Sequence, residues 1–151
     1  MKKIISALAI LFVMMFSSSC GKIDQIAHDE LTERLLSNVS FSEKLTEIDE
    51  ISAQKQLFLN PNEYSNITML VGTRATCEQI IIVDTANETV IDEKLKNYFN
   101  NLKSSYASYR PVEADKIGNL FTSVHKGTKV YVVSPDSEKV NIVYTNYIKK
   151  K

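Results

Sequence analysis

The chain is short of cysteine, proline and glycine, with two, three and four of them among 151 residues, and its formal net charge is zero. Each shortage excludes something. So little proline and glycine beside 44% hydrophobic residues argues against a disordered stalk and for a packed globule. A balanced charge, interspersed except for the closing Lys149-Lys150-Lys151, leaves no electrostatic footprint for binding nucleic acid. The longest apolar run, Ile4 to Phe16 (IISALAILFVMMF), has thirteen residues. A spanning helix needs about 20, so a permanent transmembrane segment is excluded at that place.

What that run does fit is a secretory signal peptide. Met1-Lys2-Lys3 is a basic start, the apolar stretch follows, and Ser17-Ser18-Ser19 supplies small residues at the seam. Two cleavages compete there. Ser17-x-Ser19 suits the ordinary signal peptidase, which would release a secreted protein with a thiol at its start. Cys20 immediately after the small residues suits lipidation instead: the arrangement resembles a bacterial lipoprotein box, with Ser17 where the pattern usually has Leu. That resemblance implies that Cys20 takes a diacylglyceryl group and becomes the first mature residue. Residues 1–19 are thus expected to be removed and residues 20–151 to form one extracytoplasmic domain held to the membrane lipid through Cys20. With Cys20 lipidated, Cys77 is alone and no intramolecular disulfide forms.

Hydrophobic periodicity organises the rest. Ile23, Ile26, Ala27, Leu31, Leu35 and Val39 recur at helical spacing opposite Asp24, Asp29, Glu30, Glu33 and Arg34, predicting an amphipathic helix near the anchor. Residues 40–65 carry a weaker pattern: Phe41, Leu45, Ile48 and Ile51 fit a helix or an irregular segment, and Gln54 to Leu59 reads as a short helix closed by Asn60-Pro61. Ile67 to Val71 and Thr76 to Thr85 read as strands around a Gly72–Ala75 turn, the run Ile80–Val83 suiting a strand buried on both faces. Ile91, Leu95, Tyr98, Phe99, Leu102, Tyr106 and Tyr109 keep one helical face until Pro111 stops it. Ser123 to Val130 predicts a hairpin about Lys126-Gly127, with Phe121 and Ser123 on the face of Val132 and Val130. Ser134-Pro135-Asp136 then predicts a capped helix burying Val140, Val143, Tyr144, Tyr147 and Ile148. The fold class is α+β: a mainly antiparallel sheet of about four strands in ββαββα order, packed with helices and preceded by the amphipathic one.

Three stretches, "CEQIIIVD" (Cys77 to Asp84), "SSYASYRP" (Ser104 to Pro111) and "VHKGTKVYVVSPDSEKV" (Val124 to Val140), resemble a family of small bacterial lipoproteins known as domain of unknown function 4358. The resemblance runs from about Leu57 to Ile148. It implies an architecture and an envelope address, but no reaction, because none of the stretches is a catalytic motif.

No catalytic set stands out. Cys77 as a nucleophile needs a base, and His28 and His125 are the only histidines; the alternative is a small buried strand residue or an inert edge thiol. Asp24 and His28 share a helical face at i, i+4 but Glu33 does not, and two ligands fall short of a structural zinc site, so no metal and no cofactor is expected and that face reads as solvated. Tyr106, Tyr109 and Arg110 are the ligand-binding candidates, as a sugar- or peptide-stacking surface, although Tyr98, Tyr106 and Tyr109 also fit the core stripe of their helix. Lys149 to Lys151 suit either anionic headgroups or the carbonyl end of the last helix. The expectation is a non-enzymatic, membrane-anchored binding or accessory module with an envelope protein partner. The rivals are a small-ligand-binding protein, secreted or anchored, and an enzyme using Cys77.

Overall fold

The computed structural model describes residues 25–151. Cys20, Ile23, Asp24 and the signal segment lie outside them. In chain order the elements are α1 (His28–Asn38), β1 (Thr46–Ile48), α2 (Glu50–Gln56), β2 (Asn66–Val71), β3 (Gln79–Asp84), α3 (Glu88–Ala107), α4 (Pro111–Gly118), β4 (Phe121–His125), β5 (Thr128–Val133) and α5 (Ser137–Ile148). The fold is α+β. The five strands form one sheet in the order β1-β2-β3-β5-β4, and every neighbouring pair is antiparallel.

The alternation of side chains along β3 divides the interior into two cores. Ile81 and Val83 point into one, closed by α2, α3 and α4 through Ala53, Leu95, Phe99 and Ile117. Ile80 and Ile82 point into the other, closed by α1 and α5 through Leu31, Leu35, Val140 and Tyr144. The isoleucine run is therefore the wall shared by two cores, as its lack of alternation predicts.

The β4–β5 hairpin has the predicted register, with Phe121 opposite Val132 and Ser123 opposite Val130. Lys126 and Gly127 both take positive φ, 48° and 82°, the turn whose twist matches that of the strands. Gly72 is required for another reason. A Cβ there would lie 2.5 Å from Thr76 Cγ2 and 2.7 Å from Glu43 Oε1, so only glycine lets the β2–β3 connection fold back this closely.

Several boundaries differ from the sequence reading. The long helix ends at Ala107, and Pro111 occupies the first turn of α4 rather than merely stopping α3. A proline suits that position because its missing N–H has no intrahelical acceptor there. Tyr109 falls in the connection as a result and is 63% exposed, outside the core stripe assigned to it. At α5 the cap is Asp136, whose carboxylate accepts from Lys139 N at 2.9 Å, while Ser134 Oγ accepts from Asp136 N. The helix thus starts after Asp136 rather than at Pro135. Strand β3 begins at Gln79, leaving Thr76, Cys77 and Glu78 in its approach. α2 begins at Glu50, ahead of its predicted start, because Asp49 caps it by accepting from Ser52 N and Ser52 Oγ. In α1, Ala27 is exposed and His28 takes the buried place beside Leu31 and Leu35, so that face is not solvated at His28.

Candidate functional site

Cys77 follows the tight β2–β3 connection and is 3% exposed. Its Sγ donates to Glu113 O at 3.1 Å on α4. Burial first, and the neighbouring Glu113 second, push the thiol up to about 12. Neither histidine is among its hydrogen-bond partners. His28 lies on the opposite side of the sheet, where Nδ1 is 2.9 Å from Thr68 Oγ1 and Nε2 is 3.2 Å from Asp84 Oδ2. Strand alternation puts His125 on that side too, with Phe121 and Ser123. Cys77 therefore has neither the base nor the ionisation that a thiolate nucleophile needs.

Around Cys77 the chain gathers charge that no local motif announces. Lys116 Nζ donates to Glu78 Oε1 at 2.6 Å and to Glu113 Oε1 at 2.9 Å, and lies 3.3 Å from Ser42 Oγ. Glu78, with a side chain wholly removed from solvent, also accepts from Ser42 N. Glu113 Oε2 accepts from Thr76 Oγ1 at 2.8 Å and Cys77 N at 3.0 Å. Burial alone would raise the Glu113 carboxyl, but bonds from Cys77 N, Lys116 and Thr76 outweigh it and hold it near 2. Burial would likewise lower Lys116, yet its bonds to Glu78 and Glu113 raise it. A carboxylate kept ionised, an ammonium kept charged and a thiol kept protonated are poor at exchanging protons near neutrality. The arrangement is a clamp joining the Ser42 loop, the start of β3 and α4.

A cleft of about 330 Å³ opens beside this clamp, lined by Arg74, Cys77, Gln79, Tyr98 and Tyr106 among others. Tyr98 OH donates to Gln79 Oε1 at 2.9 Å and accepts from Gln56 Nε2. Tyr106 is buried and donates to Thr76 O at 2.9 Å. Tyr109 stands against it, ring centroids 5.4 Å apart, and Arg110 Nη1 donates to Ala75 O. The three ligand candidates named from the sequence thus share one corner. Only Tyr106 lines the cleft, and its hydroxyl is already engaged in tying α3 to the loop before β3.

The larger cleft, about 640 Å³, escaped the sequence reading. Phe99, Tyr131 and Ile117 line it from the core, Lys96 and Lys103 come from α3, and Thr122 and Val124 come from the edge strand β4. It exists because α5 packs on the side of β4 that carries Phe121, while among the described residues nothing comparable covers Thr122 and Val124. Val124, 45% exposed, was the one available signal: an apolar residue on an otherwise alternating strand with no cover. At the cleft's end Lys129 and Tyr131 both bond the Asp92 carboxylate, at 2.8 Å and 2.6 Å. Burial would raise that carboxyl, and the two donors lower it overall.

Among the described residues no group of three or more His, Cys, Asp or Glu side chains is placed to hold a metal ion, and no helix is long and apolar enough to cross a membrane. No family model, curated protein or solved structure matches the chain.

Proposed function

We propose that this protein is a lipid-anchored, extracytoplasmic binding module of the bacterial envelope, of the kind gathered in domain of unknown function 4358, and that it works without catalysis. The observation that carries the address is the seam at Ser17-Ser18-Ser19-Cys20 behind the apolar run from Ile4 to Phe16. Support for binding comes from the 640 Å³ cleft, which falls in the size range of ligand sites and has an apolar floor beside three lysines, Lys96, Lys103 and Lys129. Support against thiol chemistry comes from Cys77, buried, bonded to a carbonyl and far from ionisation at neutral pH. The second reading, a small-ligand-binding protein, rests on the same cleft volume.

The experiment is intact-mass and fractionation analysis of the full chain made in a bacterium, beside its Cys20→Ala variant. The expected wild-type product lacks residues 1–19, carries added acyl mass and stays with membranes. The variant should lack that mass. Equal masses and equal partitioning of the two proteins would overturn the anchor. For catalysis, Cys77→Ser should leave the cellular phenotype unchanged, and a loss of phenotype with retained folding would reinstate the enzyme reading.

A further inference from the structure

Strand β4 ends the sheet on one side, and its free edge is unusual. Proteins blunt exposed edges by shortness, charge, proline or a covering element. The opposite edge, β1, uses shortness, with three residues. β4 has five, Phe121-Thr122-Ser123-Val124-His125, with neither proline, lysine nor carboxylate among them.

The backbone groups of that edge can be assigned. Thr85 N donates to Gly127 O at 2.8 Å, which makes Gly127, Lys129 and Tyr131 the residues of β5 that bond towards β3. Thr128, Val130 and Val132 therefore bond towards β4, engaging His125, Ser123 and Phe121. The N–H and C=O groups of Thr122 and Val124 point away from the sheet. Both line the larger cleft, and strand alternation turns their side chains to its side of the sheet.

Charge narrows the occupant. Lys129 in the cleft is committed to Asp92, but neither Lys96 nor Lys103 makes a hydrogen bond or ion pair among the described residues. They stand seven positions apart, two turns of α3, so their stems rise about 10 Å apart along one side of the cleft. Lys103 Nζ reaches the C-terminal end of α4, 3.3 Å from where a Cβ on Gly118 would sit. The same cleft is lined by apolar groups of Phe99, Leu120 and Tyr131. A strand laid along β4 would turn alternate side chains towards it, same-side residues recurring about every 6.6 Å. Resting on the reading of the protein as a binding module, we infer that β4 receives an extended acidic peptide as a sixth strand. Its backbone pairs with Thr122 and Val124, and the side chains on its cleft-facing side are both apolar, entering the cleft, and acidic, meeting Lys96 and Lys103.

The test uses the full chain in detergent and three end-capped fluorescent heptapeptides read by anisotropy: Val-Thr-Glu-Thr-Val-Thr-Glu, which carries valine and glutamate on one strand face, the same peptide with lysine in place of glutamate, and the glutamate peptide N-methylated at alternate amides. The first should bind at least about tenfold more tightly than either other, because two like-charge contacts or the lost ladder bonds each cost about that much. Hydrogen exchange should slow at Thr122 and Val124. The variant Lys96→Glu with Lys103→Glu, both exposed positions, should reverse the charge preference while melting at the wild-type temperature. Equal binding of the N-methylated peptide would mean that the cleft takes an anion without strand pairing, and would overturn the inference. So would equal binding of the glutamate and lysine peptides, no binding at all, or a second copy of the chain on β4 in sedimentation. None of these results bears on the acyl mass at Cys20, so the anchor reading fails or stands separately.

Discussion

Replacing Lys116 by methionine is the sharpest perturbation this structure offers. The ammonium is the one positive charge in a buried group that also holds Glu78 and Glu113, and water reaches little of any of them: side-chain exposures are 13%, 0% and 11%. Methionine matches the stem and removes three polar contacts, leaving two carboxylates facing each other. Breaking a buried ion pair from one side costs about 3–5 kcal/mol. Here the lower end applies, since Glu78 keeps its bonds from Ser42 and Glu113 keeps those from Thr76 and Cys77 N. A loss of about 3 kcal/mol shifts a urea midpoint by about 2 M for a slope near 1.5 kcal/mol/M. Circular dichroism of the full chain in mild detergent reads that shift directly. Adding Glu78→Gln to Lys116→Met removes the stranded charge while keeping an acceptor for Ser42, and should recover about 1–2 kcal/mol. If the single variant moves the midpoint by less than about 0.5 M, or the double variant is the less stable of the two, the clamp contributes no electrostatic stability and the argument fails.

Other outcomes follow from the same geometry. Glu113 titrates near 2 when folded against 4.5 unconstrained. Its contribution, on the order of 3 kcal/mol, should be complete above about pH 5 and vanish as pH falls to 2; urea midpoints against pH for wild type and Glu113→Gln would reveal it, and parallel curves would count against it. Cys77, with its thiol pushed up to about 12, should resist a maleimide at pH 8 in the native protein and react within minutes in urea; rapid native labelling would show that the site opens. Phe58 holds φ of 55° with its ring 74% exposed, so Phe58→Gly should raise stability by up to about 1 kcal/mol in thermal melts, and a loss of that size would mean that the ring is packed.

The parts of this fold that were legible are those governed by near neighbours in sequence. The Ile80–Val83 run announces a strand between two cores, Lys126-Gly127 sets the hairpin register, and the Val140-to-Ile148 stripe places α5. Strand β1 was not legible, because Thr46-Glu47-Ile48 is too short for any period and is defined by pairing with Met69, Leu70 and Val71. Helix α4 was hidden by the ambiguity of Pro111, which reads as the stop of the preceding helix but begins the next. His28 looked like a surface residue because its companions Thr68 and Asp84 lie on strands far along the chain. The clamp was invisible for the same reason: Ser42, Glu78 and Lys116 are ordinary surface types until the fold brings them together. The larger cleft required knowing that α5 covers only one side of β4, which is a property of packing and has no local signature.

The two ends of the described chain meet. Ala27 N donates to Tyr147 OH at 2.9 Å, and Lys151 Nζ lies 3.7 Å from Glu30 Oε2 and 5.4 Å from the ring of Tyr147. Start and finish therefore share one face, that of α1 and α5. A tether at Cys20 would fix the molecule's compass. The six residues from Gly21 to Ile26 span at most about 20 Å, so the helices α1 and α5 and the closing lysines would look down at the bilayer. The layer of α2, α3 and α4 would look out, away from the lipid. A reporter fused to the carboxyl end would then sit close to the headgroups, while the outward face would stay clear of them.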